Sequence, residues 1–88
     1  MKSSEFVIQF PEGLHMRPAG RFAKVAGKYE SDVTIVADGK NINAKSVISI
    51  VAACIKHGTQ IEVRCEGSDE EQAMEALKSG IEAGLGEK

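Results

Sequence analysis

Tryptophan is absent from this 88-residue chain, and the other aromatics are few, three Phe and one Tyr. So sparse a set offers no platform on which bases could stack, and a net charge of −2 supplies no basic stripe for a phosphate backbone. Nucleic acid is therefore not an expected partner. Cysteine is limited to Cys54 and Cys65, which form no C-x-x-C pair and have no histidine at metal-ligand spacing. That excludes a disulfide scaffold and a structural zinc centre. It points to two buried free thiols in a reducing compartment, with no metal and no cofactor. No apolar run approaches the ~18–20 residues of a membrane span. Residues 1–5 lack the apolar core and cleavage site of a secretory signal, so a cytoplasmic protein without membrane insertion is expected. The motifs H-E-x-x-H and G-x-S-x-G and a glycine-rich nucleotide loop are missing as well.

What is present suits one small domain over residues 1–88, large enough for one modest core but not for a core and a deep cavity besides. Charge is uneven: nine basic and six acidic residues precede Glu66, and two basic and seven acidic residues follow from there. Residues 5–10 alternate, with Phe6, Ile8 and Phe10 on one face, as a half-buried strand does. Ala19, Phe22, Ala23 and Ala26 recur at helical spacing within a helix of about Met16 to Lys28, which leaves Arg17, Arg21, Lys24 and Lys28 on its outer side. A strand over Asp32–Ala37, the Asp38-Gly39 hairpin signal and a strand over 40–43 follow. Ser46 can cap a short helix, about Val47–Cys54, closed by Gly58 in the left-handed conformation. Ile61, Val63 and Cys65 alternate in a last strand. Ser68 and Glu71 have the spacing of a capping box for a final helix whose inward stripe is Ala73, Ala76, Leu77, Gly80 and Ile81. The order βαββαβα, with one apolar face per element, predicts an α+β fold: a four-stranded antiparallel sheet covered on one face by three helices, the other face wet.

The first of the two histidines stands in Gly13-Leu14-His15-Met16-Arg17-Pro18-Ala19-Gly20. Placed at the N-cap, His15 puts Pro18 in the first helical turn, where a missing N–H does no harm. The amides and dipole of a helix N-terminus favour negative charge, and the Arg17 guanidinium is a fork of donors suited to phosphate oxygens. No nearby carboxylate is built to activate water, so a phosphoryl group on His15 would persist until another protein took it. A structural histidine at a helix start explains the same position. His57, beside Lys56, has the weaker claim, as a solvated or capping residue.

This stretch, together with Asn43-Ala44-Lys45-Ser46 and Glu66-Gly67-Ser68-Asp69-Glu70, resembles the histidine-containing phosphocarrier protein (HPr) family of the bacterial phosphoenolpyruvate-dependent sugar phosphotransferase system, over essentially the whole chain. The resemblance implies the family's open-faced β-sandwich. It implies a carrier with no independent turnover, whose His15 accepts a phosphoryl group on Nδ1 from enzyme I and passes it to IIA components of sugar permeases, with Arg17 orienting the group. Arg21, Lys24, Val47, Ile48 and Val51 would form the partner surface, Ile48 being the candidate for an exposed apolar contact. Ser46 would be a regulatory phosphorylation site, bringing in HPr kinase/phosphorylase and a carbon-catabolite regulator as partners. Ile48-Ser49, Cys54 and Gly20 depart from the commonest family pattern. A nitrogen-branch phosphocarrier paralogue and a mainly regulatory protein switched at Ser46 are the alternatives.

Overall fold

The computed structural model describes residues 1–84. Its elements are β1 (Lys2–Val7), α1 (Met16–Ala26), β2 (Asp32–Ala37), β3 (Lys40–Asn43), α2 (Val47–Ala52), β4 (Gln60–Glu66) and α3 (Glu70–Glu82). The strands form one antiparallel sheet in the order β1-β4-β2-β3. Period-two alternation decides its faces. Val33, Ile35, Ile42, Ile61, Val63 and Cys65 are buried beneath the helices together with Phe22, Ile50 and Leu77, and each large apolar side chain so covered contributes about 1.5–3 kcal/mol. On the opposite face the register sets Ser3, Arg64, Thr34 and Asn43 in one row and Glu5, Glu62, Val36 and Asn41 in the next. That face has no helix over it, and its charges pair laterally, Arg64 with Glu62 at 3.0 Å. The architecture is the expected open-faced sandwich.

The β2–β3 connection follows from its sequence. Asp38 and Gly39 both have positive φ, 51° and 76°, as the two central residues of a type I′ turn require.

Several local expectations are corrected. The first strand lies three residues earlier than the apolar alternation suggests. Its ladder runs from Lys2↔Cys65 to Val7↔Gln60, because β4 needs a partner along its whole length, and the polar residues 2–5 provide it. Ile8 and Phe10 remain buried, with Ile8 bonded to the turn before β4: its N–H donates to Thr59 O at 2.9 Å, and Gly58 N–H donates to Ile8 O at 2.7 Å. Helix α1 stops at Ala26, two residues short, with Gly27 as its C-cap.

Helix α2 is also shorter than expected and is not closed by Gly58. Cys54, not glycine, takes the left-handed conformation at φ 53°, while Gly58 at φ 86° belongs to the turn into β4. Cys54 is consequently exposed; only Cys65 is buried. Burial, reinforced by the charges of Glu70 and Asp69, pushes the Cys65 thiol above its ordinary pKa, which suppresses thiolate chemistry.

The capping box at Ser68 and Glu71 does not form. Asp69 occupies the N-cap of α3, and its carboxylate turns back to accept hydrogen bonds from the Ser31 hydroxyl and from the N–H groups of Glu30 (2.8 Å) and Ser31 (2.9 Å). Glu70 accepts instead from Gly67 N–H at 3.1 Å. A tertiary tie has displaced the local cap. Along α3 the buried residues are Ala73, Met74 and Leu77, with Ala76, Gly80 and Ile81 half-buried.

Candidate functional site

His15 is the N-cap of α1. Its backbone is extended, with φ −79° and ψ −170°, and its carbonyl accepts the first intrahelical bond from Ala19 N–H at 2.9 Å. The turn leading to it is fixed by three features. Gly13 N–H bonds to Phe10 O at 2.9 Å, and Leu14 N–H bonds to Ile55 O at 2.9 Å. Leu14 is buried, anchoring the chain one residue before the histidine. Gly13 has φ 74° and rests so closely on Ile55 that a Cβ would stand 2.2 Å from its carbonyl oxygen. No other residue type fits there. The imidazole is half-buried and makes no cap hydrogen bond to the helix amides. Pro18 is buried in the first turn, so the amides at the head of the helix are those of Met16 and Arg17. That turn contains no acidic residue.

Helices α1 and α2 run antiparallel, as two contacts define. Leu14 meets Ile55 beyond the end of α2, whereas Lys45 Nζ, just before α2 begins, donates to Tyr29 O beyond the end of α1 at 2.8 Å. His15 and Ser46 thus lie toward opposite ends of α1. Ser46 is the N-cap of α2, and its Oγ accepts from Ser49 N–H at 3.2 Å. Arg17, Arg21 and Lys24 are exposed on α1, while Val47 and Val51 are half-buried against the core. Ile48 is 80% exposed, and Met16, beside His15, is 63% exposed. Met16 escaped the sequence reading; its signal was its position off the Ala19–Phe22–Ala23–Ala26 stripe. His57 is exposed in the turn between α2 and β4, outside both helices. A groove of about 750 Å³ lined by Phe6, Val7, Phe10 and Ile81 does not include His15. Among the described residues no cluster of His, Cys, Asp and Glu could hold a metal ion, and no helix is long and apolar enough to cross a membrane.

A histidine at a helix N-terminus with a guanidinium in the first turn, outside the groove beside β1, suits a protein that receives a group and hands it on. Comparison with known proteins makes the class specific. Residues 2–83 match the family model for the PTS HPr component phosphorylation site. The phosphocarrier protein HPr of Mycoplasma capricolum is 46% identical over 72 residues, covering 82% of this chain and 81% of that protein. The HPr-like protein Crh of Halalkalibacterium halodurans is 38% identical over 82 residues, covering 93% and 98%. The crystal structure of HPr-C-His from Thermoanaerobacter tengcongensis superposes with a TM-score of 0.94 at 38% identity, covering 100% of this chain and 99% of that one. The chain belongs to the HPr family, the phosphocarriers of the phosphotransferase system. It is a phosphoryl carrier, not an enzyme with its own turnover.

Proposed function

We propose that His15 is the phosphoryl acceptor, taking the group on Nδ1 from phosphorylated enzyme I and delivering it to IIA components of sugar permeases. The observation that carries this reading is the N-cap placement of His15, with Arg17 exposed in a first turn that holds no carboxylate. In the first transfer the Nδ1–phosphorus bond forms as the nitrogen–phosphorus bond of enzyme I breaks; in the second the Nδ1–phosphorus bond breaks as one forms to the acceptor histidine of the IIA component, so no water or further reactant is consumed. The Arg17 guanidinium and the first-turn amides face the charge of the phosphoryl oxygens. The first turn of α1 contains no acidic residue, so no side chain of that turn deprotonates water against the phosphoryl group. Partners dock over the exposed Ile48, flanked by Val47 and Val51 on α2 and by the cations Arg21 and Lys24 on α1.

The test is phosphorylation by enzyme I and phosphoenolpyruvate, read by intact mass for wild type and His15→Ala at neutral and acidic pH. One acid-labile phosphate, lost in His15→Ala while circular dichroism is unchanged, is the expected result. A folded wild-type chain that takes no phosphate overturns the reading.

Ser46 is the regulatory site of this proposal, modified by HPr kinase/phosphorylase and read by a carbon-catabolite regulator. His15 and Ser46 lie toward opposite ends of α1, and phosphate on Ser46, the N-cap of α2, acts on docking over that helix. The alternative reading is a protein switched mainly at Ser46. Acid-stable phosphate without any acid-labile phosphate would select it.

A further inference from the structure

Solvent reaches the three methionines of this chain unequally. Met74 is 8% exposed within the core, whereas Met1 and Met16 are 67% and 63% exposed. Only Met16 stands at the transfer site, as the first residue of α1, directly after the N-cap His15. Its thioether is a nucleophile that phosphoryl transfer does not use. When a thioether attacks a peroxide, the departing oxygen takes up negative charge in the transition state. The amides and dipole at the head of α1, with the Arg17 guanidinium in the same turn, favour such charge, and that turn holds no acidic residue to oppose it. Met1 stands in the opposite field: its ammonium is already paired with the Glu70 carboxylate at 3.0 Å, and Lys2 beside it with Glu71 at 3.4 Å. Exposure alone would rank Met1 first for oxidation; the local field ranks Met16 first.

We propose that Met16 is a redox modification site, oxidised by hydrogen peroxide to the sulfoxide, and that this modification brakes phosphoryl transfer at His15. The brake rests on the acceptor reading of His15. In the oxidation the sulfur gives two electrons to the peroxide. An S–O bond forms as the O–O bond breaks, and the departing hydroxide takes the proton left on the transferred oxygen to become water. A flexible apolar side chain thereby becomes polar and chiral, with a strong acceptor oxygen in place of a soft sulfur. That oxygen sits one residue from His15, where it competes with phosphoryl oxygens for the first-turn amides and the Arg17 donors. Methionine sulfoxide reductases remove it again, which makes the change a switch. Cys54 is the other exposed sulfur, and a serine variant separates its chemistry from that of Met16.

The experiment treats wild type, Met16→Leu and Cys54→Ser with hydrogen peroxide and maps the oxidised residues by peptide mass. Phosphorylation by enzyme I and phosphoenolpyruvate is then timed before and after treatment. Leucine keeps the apolar volume of methionine without its sulfur. Met16 is expected to gain oxygen ahead of Met1 and well ahead of Met74. Phosphorylation of the chain oxidised at Met16 should slow about tenfold, the effect of one lost hydrogen bond to a charged group, with circular dichroism unchanged. Cys54→Ser should slow to the same extent, Met16→Leu should keep its own untreated rate, and the two epimer-specific reductases with a dithiol should restore the wild type. A wild type oxidised at Met16 that is phosphorylated at its untreated rate overturns this inference alone. A slowing that persists in Met16→Leu overturns it too, as does oxidation of Met1 ahead of Met16. An untreated, folded wild type that accepts no phosphate removes the acceptor reading and this inference with it.

Discussion

Replacing Gly13 by alanine probes how the turn before His15 is held, and Gly39→Ala supplies the control. Both glycines have φ near +75° (74° and 76°), so alanine at either incurs the left-handed penalty of about 1 kcal/mol. They differ in surroundings. A Cβ at Gly39 meets nothing within 4 Å, whereas one at Gly13 lies 2.2 Å from Ile55 O and 2.9 Å from Lys56 Cα. Both contacts are backbone atoms, so no side-chain rotation relieves them; the turn has to move away from residues 55–56. That movement breaks the 2.9 Å bond from Leu14 N–H to Ile55 O, and a buried donor left unsatisfied costs about 1–3 kcal/mol. Gly13→Ala should therefore destabilise by about 3 kcal/mol in all, some 2 kcal/mol more than Gly39→Ala. The difference corresponds to ~10 °C in Tm for a domain of this size and is a large part of a total stability of ~4–13 kcal/mol. Urea unfolding followed by circular dichroism gives the two free energies, and phosphorylation of the still-folded fraction reports whether His15 is displaced. Equal destabilisation by the two substitutions would refute the argument that Ile55 holds the turn.

Acid unfolding tests the tie at the start of α3. Hydrogen bonding from the Ser31 hydroxyl, then from Glu30 N–H, holds the Asp69 carboxyl below its ordinary pKa, and Gly67 N–H with the terminal ammonium does the same for Glu70. Both folded-state values lie below those of the unfolded chain, so this stabilisation is complete above about pH 5 and is lost as pH falls through the folded values. Asp69→Asn should flatten the decline of the urea midpoint below about pH 4; an unchanged slope would exclude the tie. Ser46→Ala removes the bond from Ser49 N–H and should cost about 1 kcal/mol, while Ser46→Asp, which can cap equally well, should keep stability but slow phosphorylation by enzyme I. Calorimetry and intact mass separate the two effects. Ile48→Lys, at a site 80% exposed, should change stability by no more than about 0.5 kcal/mol yet weaken transfer to IIA proteins, measured as a rise in KM; an unaltered KM would move the docking surface elsewhere.

Element order, the face each element buries and the N-cap positions of His15 and Ser46 were legible along the chain. These depend on short-range rules: alternation in strands, three- and four-residue spacing in helices, and the φ values that Asp38-Gly39 and Pro18 accept. The expectations that failed were those in which a distant partner outbid a local one. Asp69 is drawn to Ser31, 38 residues away, so the box predicted from Ser68 and Glu71 never closes. β1 slides toward the N-terminus because β4 presents a ladder that polar residues 2–5 can complete, although nothing in their own side chains marks a strand. Cys54 enters a conformation usually left to glycine as the chain turns out of α2 toward Ile55, and so becomes exposed. The same contact explains what only the tertiary structure decided about the site. His15 is recognisable from its neighbours in sequence, but the surface on which it stands is made by Ile55 beneath Gly13 and Leu14, some forty residues on, and the exposure of Met16 and Ile48 exists only once α1 and α2 have packed their opposite faces into one core.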